Sequence, residues 1–220
     1  MATFPANCDF PARVVAIDVG ATKITGSIVR YDSAEAEPVV EDSRTVATEA
    51  MKGGASVLDK ICSLASDLAA CAPASPLGIG VGTAGRVDAK SGDIAYANDL
   101  MPGWGGQPLA SALRERSGLP AAILNDVQAY AVGEARWGAG RGADTCIMIA
   151  AGTGVGGAVI AHGRIVRGKH GFAGEVGHMA SSVATGIPCV CGGSGHLESV
   201  AAGSGIEARF FEATEEHLSG

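Results

Sequence analysis

No basic cluster occurs anywhere in the 220 residues, and the formal net charge is −7. Nucleic-acid binding driven by phosphate neutralisation is therefore not expected. No apolar run reaches the roughly 18 residues that a membrane span needs. Met1 to Pro11 shows no basic stretch followed by an apolar one, so no signal peptide is read. No G-x-x-x-x-G-K-[ST] segment is present, which argues against a P-loop fold. Six cysteines without an export signal fit a reducing cytosol, and a cytoplasmic protein is expected. Cys62 and Cys146 are expected in the core, and Cys8 and Cys71 as free thiols.

Hydrophobic residues make up 47% of the chain, enough for a sizeable core. The length suggests one large domain or two small ones. The 33 glycines gather in loops, which points to binding sites built from backbone. Val14 to Asp18 and Ile24 to Tyr31 read as a hairpin, with a third strand near Val46 to Glu49. Ala55 to Ala70 has helical spacing at Val57, Leu58, Ile61, Leu64 and Leu68. Leu77 to Val81 reads as a strand, Pro108 to Arg116 as a helix and Ala121 to Leu124 as a strand. Val127 to Trp137 reads as a helix. Cys146 to Ala151 and Ala158 to Ala161 read as strands. The segment from about His196 to Leu218 looks helical, with a break near Gly203 to Gly205. A hairpin followed by helices occurs twice, so two related lobes with a cleft between them are expected. The lobes are drawn as residues 1–122 and 123–220.

Four motifs carry candidate chemistry. Asp18-x-Gly20-x-Thr22-Lys23 could cradle a phosphate, with Asp18 on a hydrated Mg²⁺; an ordinary hairpin turn would look the same. Gly152-Thr153-Gly154-Val-Gly156-Gly157 formally matches a dinucleotide fingerprint. The residues after Gly157 are short, β-branched and broken by Gly163, and read as a strand rather than a helix. A hairpin with an anion-binding nest is therefore expected instead. Asn125-Asp126 stands between a strand and a helix, where Asn and Asp are preferred caps. Glu175-Val-Gly177-His178 is followed by Cys189-Val-Cys191-Gly-Gly-Ser-Gly-His196-Leu-Glu198. Thiolates and imidazoles are the ligands of tetrahedral zinc, so His178, Cys189, Cys191 and His196 are the candidate set.

The last motif resembles the ROK family of bacterial sugar kinases and sugar-responsive repressors. That family usually has a third cysteine where this chain has His196. The resemblance implies an α/β, actin/hexokinase-type (ribonuclease H-like) two-lobed fold with a zinc-stabilised loop. It implies phosphorylation of a hexose or N-acylhexosamine by ATP with Mg²⁺, and a structural Zn²⁺. Asp126 becomes the catalytic base. Gly85, Arg86, Asn98, Asn125, Glu175, His178 and Glu198 become sugar contacts. Asp18, Gly20, Thr22, Lys23, Gly152, Thr153, Gly154 and Gly156 become the phosphate and metal side. Arg86 looks most like N-acetylmannosamine kinases. Lobe closure would exclude water.

Repressors of the family carry a DNA-binding segment ahead of the sugar domain, for which the first strand near Arg13 leaves no room. A non-catalytic sugar sensor is the alternative to a kinase. Family members run longer, so the second lobe is expected to be incomplete. Ile147, Ile149, Val159 and Phe210 are expected to lack partners. Aggregation, homodimerisation or pairing with a separate chain is the expected consequence, and these 220 residues alone are expected to bind sugar weakly and to show no measurable kinase activity.

Overall fold

Val15, Ile17 and Val19 are buried while Ala16 and Asp18 face outward, and this period of two builds β1 (Ala12–Val19). The computed structural model describes residues 4–5 and 7–217. Two compact units are present, one ending at Ala129 and one beginning at Tyr130.

In the first unit β1 pairs antiparallel with β2 (Lys23–Tyr31), and β2 with β3 (Val39–Ala47). Helix α1 (Gly54–Cys71) follows, then β4 (Ile79–Thr83). A short hairpin, β5 (Arg86–Val87) and β6 (Ile94–Tyr96), leads to α2 (Leu109–Ser117). Strand β7 (Ala121–Asn125) then runs directly into α3 (Asp126–Trp137), whose second turn carries the unit boundary. The sheet order is β3-β2-β1-β4-β7, with β1, β4 and β7 mutually parallel. Buried positions alternate along them, Val15, Ile17 and Val19 on β1 and Ile79, Val81 and Thr83 on β4, so one face packs on the core.

The helical spacing expected for α1 is the stripe it buries: Val57, Leu58, Ile61, Leu64 and Leu68, with Cys62 among them. These side chains join Val15, Ile17, Ile24, Ile28, Ile79 and Val81 of the sheet in one cluster. Helix α2 adds Leu109 and Leu113 and stops at Gly118, whose φ of 71° only glycine adopts freely. The third strand lies earlier than expected and is longer: it ends at Ala47, short of Thr48 and Glu49, and polar Glu41 to Arg44 form part of it through pairing with β2. That stretch has no apolar alternation to announce it.

The second unit holds β8 (Thr145–Ala151), β9 (Val155–Ala161) and β10 (Arg164–Val166), in sheet order β10-β9-β8. It closes with α4 (Glu198–Ala201) and α5 (Gly203–Thr214). Strand β9 starts three residues earlier than expected, because Val155 and the two glycines after it pair with β8. The expected break in the last helix falls at Ala202, and Gly203 to Gly205 form the first turn of α5. Leu218, the expected end of that helix, lies outside the described residues. Cys146 is only half-buried, not a core thiol, because β8 is an edge strand. On the same strand Ile147 and Ile149 are 62% and 61% exposed. Val159 and Phe210 are half-buried. Among the described residues, no helix is long and apolar enough to cross a membrane.

Candidate functional site

Register brings the first group of candidate residues together. Val19, Thr83 and Asn125 are direct neighbours across β1, β4 and β7, each at or near the C-terminal end of its strand. Ligands of open α/β sheets bind outside such ends. Strand β1 runs from Asp18 into the turn Gly20-Ala21-Thr22, closed by Gly20 N–H donating to Lys23 O at 3.0 Å. Asp18, Thr22 and Lys23 are exposed there. Ala84 N–H donates to Val19 O at 3.1 Å, so the turn carrying Gly85 and Arg86 lies beside the end of β1.

A buried tryptophan fixes this turn from below. Trp104 is fully buried, and its Nε1–H donates to Thr83 Oγ1 at 3.2 Å. The sequence did not single out Thr83. A lone threonine at a strand end carries no sequence signal. Asn98, in the loop before Trp104, accepts from Leu100 N–H at 3.2 Å through Oδ1 and so shapes its own turn.

Asn125 and Asp126 divide the cap between them. Asn125 Oδ1 accepts from Val127 N–H at 3.0 Å and Gln128 N–H at 3.4 Å, the bonds of a helix N-cap. Asn125 Nδ2 donates to Gly85 O at 3.0 Å and straps α3 to the turn after β4. Asn125→Ala should cost about 1 kcal/mol for the cap and about 1 kcal/mol for the strap. Asn125→Ser should lose only the strap. Urea unfolding of the two variants reads the difference, and equal losses would count against the division.

With the cap supplied by Asn125, Asp126 is left for other work. Its Oδ1 accepts from Val127 N–H at 2.8 Å. Burial pushes its carboxyl above the usual range; the Val127 amide opposes this, and the nearby charge of Asp18 adds to it. A carboxylate whose pKa is raised in this way is a stronger proton acceptor than an ordinary one.

The second unit assembles the other candidates. Gly152, Thr153 and Gly154 form the tip between β8 and β9, closed by Gly152 N–H donating to Gly154 O at 2.9 Å. Glu198 reaches this tip: its Oε2 accepts from Val155 N–H at 2.8 Å. Gly203 N–H donates to Gly152 O at 2.8 Å, so the start of α5 holds the other side. A Cβ on Gly154 would fall 2.7 Å from Glu198 Oε2, so a side chain there would push the carboxylate aside. The bond from Glu198 to the hairpin is invisible in the sequence, since 43 residues separate its partners.

Glu175-Val-Gly177-His178 forms a single 3-10 turn against β9. A Cβ on Gly177 would fall 2.1 Å from Val155 O, so only glycine allows this packing. The turn sends His178 toward the cysteines. Cys189 Sγ lies 3.7 Å from His178 Nδ1, and Cys191 Sγ lies 3.3 Å from His196 Nδ1. All four ligand atoms lie within 4.8 Å of one another. Tetrahedral zinc at typical bond lengths sets sulfur and nitrogen about 3.6 Å apart, so the donor set fits the ion. His196 lies with the other three, so the cluster holds four candidate donors, two thiolates and two imidazoles.

The ROK family model matches residues 14–219. A glucokinase of Halalkalibacterium halodurans is 41% identical over 141 residues, covering 64% of this chain and 42% of that protein. The xylose repressor of Caldicellulosiruptor bescii is 36% identical over 133 residues, covering 59% of this chain and 33% of that protein. The ROK hexokinase structure from Thermus thermophilus superposes with a TM-score of 0.78 at 30% identity, covering 94% of this chain and 66% of that one. The Streptomyces griseus glucokinase in complex with glucose and AMPPNP gives a TM-score of 0.73 at 32% identity, covering 93% of this chain and 62% of that one. The chain thus spans between 33% and 66% of the length of these four proteins.

Proposed function

The chain belongs to the ROK family, and from that premise we propose that it serves an ATP-dependent kinase of a hexose or N-acylhexosamine, glucose or N-acetylmannosamine. One observation carries the reading most strongly. The ends of β1, β4 and β7 bring a glycine turn, Asp18 and a carboxyl of raised pKa to one edge of a sheet.

Phosphoryl transfer needs alignment and charge neutralisation more than covalent chemistry. Asp126 would take the proton of the attacking sugar hydroxyl as the oxygen bonds to the γ-phosphorus and the bond to ADP breaks. Thr22, Lys23 and the amides of Gly20, Gly152, Thr153, Gly154 and Gly156 would hold phosphate oxygens. Asp18 would hold a hydrated Mg²⁺, whose charge offsets that of the phosphates. Gly85, Arg86, Asn98 and Asn125 would contact sugar hydroxyls. So would Glu175, His178 and Glu198. Zn²⁺ on His178, Cys189, Cys191 and His196 would keep the loop between Glu175 and Glu198 rigid. A cytoplasmic homodimer completes the proposal, and the exposed Ile147 and Ile149 favour it.

The match to a repressor supports a second reading, a sugar sensor without catalysis. Retention of Asp126 and both glycine turns favours the kinase. The test incubates the protein with Mg·ATP and a panel of hexoses and N-acylhexosamines, and follows ADP. Sugar-dependent ADP release supports the kinase. Sugar binding by calorimetry with no ADP released would leave the sensor.

A further inference from the structure

Thr48 and Thr83 are the buried polar side chains among the described residues, and both have 0% exposure. Thr83 is accounted for by the turn after β4. Thr48, just beyond the end of β3, is turned toward the other loop. Its hydroxyl donates to Gly20 O at 2.6 Å. Its backbone N–H donates to Thr22 O at 3.0 Å. One residue thus satisfies two carbonyls of the turn Gly20-Ala21-Thr22. A buried hydroxyl must keep its partner, because leaving it unpaired costs more than the bond contributes.

Thr48 is itself held from behind. Lys60, on α1, donates to Ala47 O at 2.8 Å, to Thr48 O at 3.3 Å and to the Glu49 carboxylate. These three bonds use all the donors of an ammonium group. Glu49 also pairs with Lys52 at 2.8 Å. Lys52 and Lys60 together hold the Glu49 carboxyl down to about 2. Glu49 has a left-handed backbone, φ 51°, which a non-glycine residue keeps only when its surroundings hold it there. On the other side of the turn, Ala21 and Thr22 line an open recess with Met51, Lys52 and Leu100. One side of the turn is anchored, and the other faces open space.

We infer that Thr48 is a positioning residue: it seats the Gly20–Thr22 turn in the conformation that presents Thr22 to nucleotide phosphate, with Lys60 holding Thr48 in place. The ligand's identity rests on the kinase reading; the seat rests on the hydrogen bonds alone. Thr48→Val keeps the shape and removes the hydroxyl, and Thr48→Ser restores it.

Two measurements test this: amide exchange at positions 20 to 23, and affinity for Mg·AMPPNP beside affinity for glucose. Thr48→Val should speed exchange at the turn about tenfold and weaken AMPPNP about tenfold, the size of one lost hydrogen bond. Glucose affinity should stay within about twofold, and Thr48→Ser should match the wild type on every readout within about twofold. The inference is overturned if Thr48→Val leaves exchange at the turn unchanged. It is also overturned if exchange rises uniformly through β1, β2 and β3, since that is general destabilisation. If the wild type binds neither AMPPNP nor glucose, the kinase reading falls, and exchange at the turn still decides the seat.

Discussion

Asp126→Asn should abolish most sugar phosphorylation and leave the fold at least as stable at neutral pH. A positioned general base contributes about 10²–10⁴-fold, so turnover should fall by at least that order. The stability expectation comes from the raised carboxyl. Burial first, and the charge of Asp18 after it, disfavour the ionised form in the folded state. The folded pKa therefore lies above the unfolded one. Ionisation then costs stability as pH rises through the carboxylate range, and the cost persists above it. Asparagine carries no such charge, so the variant should gain on the wild type as pH rises from about 4 to neutrality. Urea melts at pH 4 and pH 7, run beside a turnover assay, read both effects. A loss of about 1 kcal/mol with turnover within about threefold of wild type would mean that Asp126 is merely a helix-start residue. Asn125 already fills the cap position, so that outcome is not expected.

Zinc removal should have the second large effect. Protein purified without chelator should hold one zinc per chain by elemental analysis, with Zn–S near 2.3 Å and Zn–N near 2.0–2.1 Å by X-ray absorption, as is typical of such sites. The segment from Ser181 to Gly195 has little else to hold it. Its buried residues are Ala184 and Cys189, and apart from short-range backbone bonds, such as Ser181 N–H to Gly195 O and Cys189 N–H to Gly193 O, it is tied down by Ser199 Oγ–H donating to Pro188 O. Structural zinc in small peptides contributes an apparent 10–16 kcal/mol or so. Chelation should therefore open residues 178 to 196 to protease and lower the melting temperature. Cys189→Ser should do the same. Affinity should fall on acidification as thiolates and imidazoles protonate. Glu198 links this loop to the β8–β9 tip, so amide exchange at Gly152 to Gly157 should also rise on chelation. Protein that contains no zinc and melts identically with and without chelator would sink the assignment.

The strands and helices with strong periodicity were legible in the residue pattern. Helix α1 has five apolar side chains at helical spacing, and no other arrangement buries them together. The two hairpins were legible because apolar runs flank their glycine turns. The polar half of β3 was not, since pairing with β2, rather than side-chain burial, defines it. Nor was the half-exposure of Cys146, which depends on β8 being an edge strand.

Residue type and spacing alone determined the zinc candidates, because thiolates and imidazoles grouped within 19 residues are local chemistry. They also determined the two glycine turns and the place of Asn125-Asp126 between a strand and a helix. Tertiary structure alone decided who does what within those motifs. It tied Asn125 to Gly85 and left Asp126 beside the charge of Asp18. It set Thr48 under one turn and Glu198 across the other. The physical reason is the same each time. These are hydrogen bonds and charges between residues 28 to 108 positions apart, and a chain read one window at a time contains no record of which distant carbonyl a buried hydroxyl will meet.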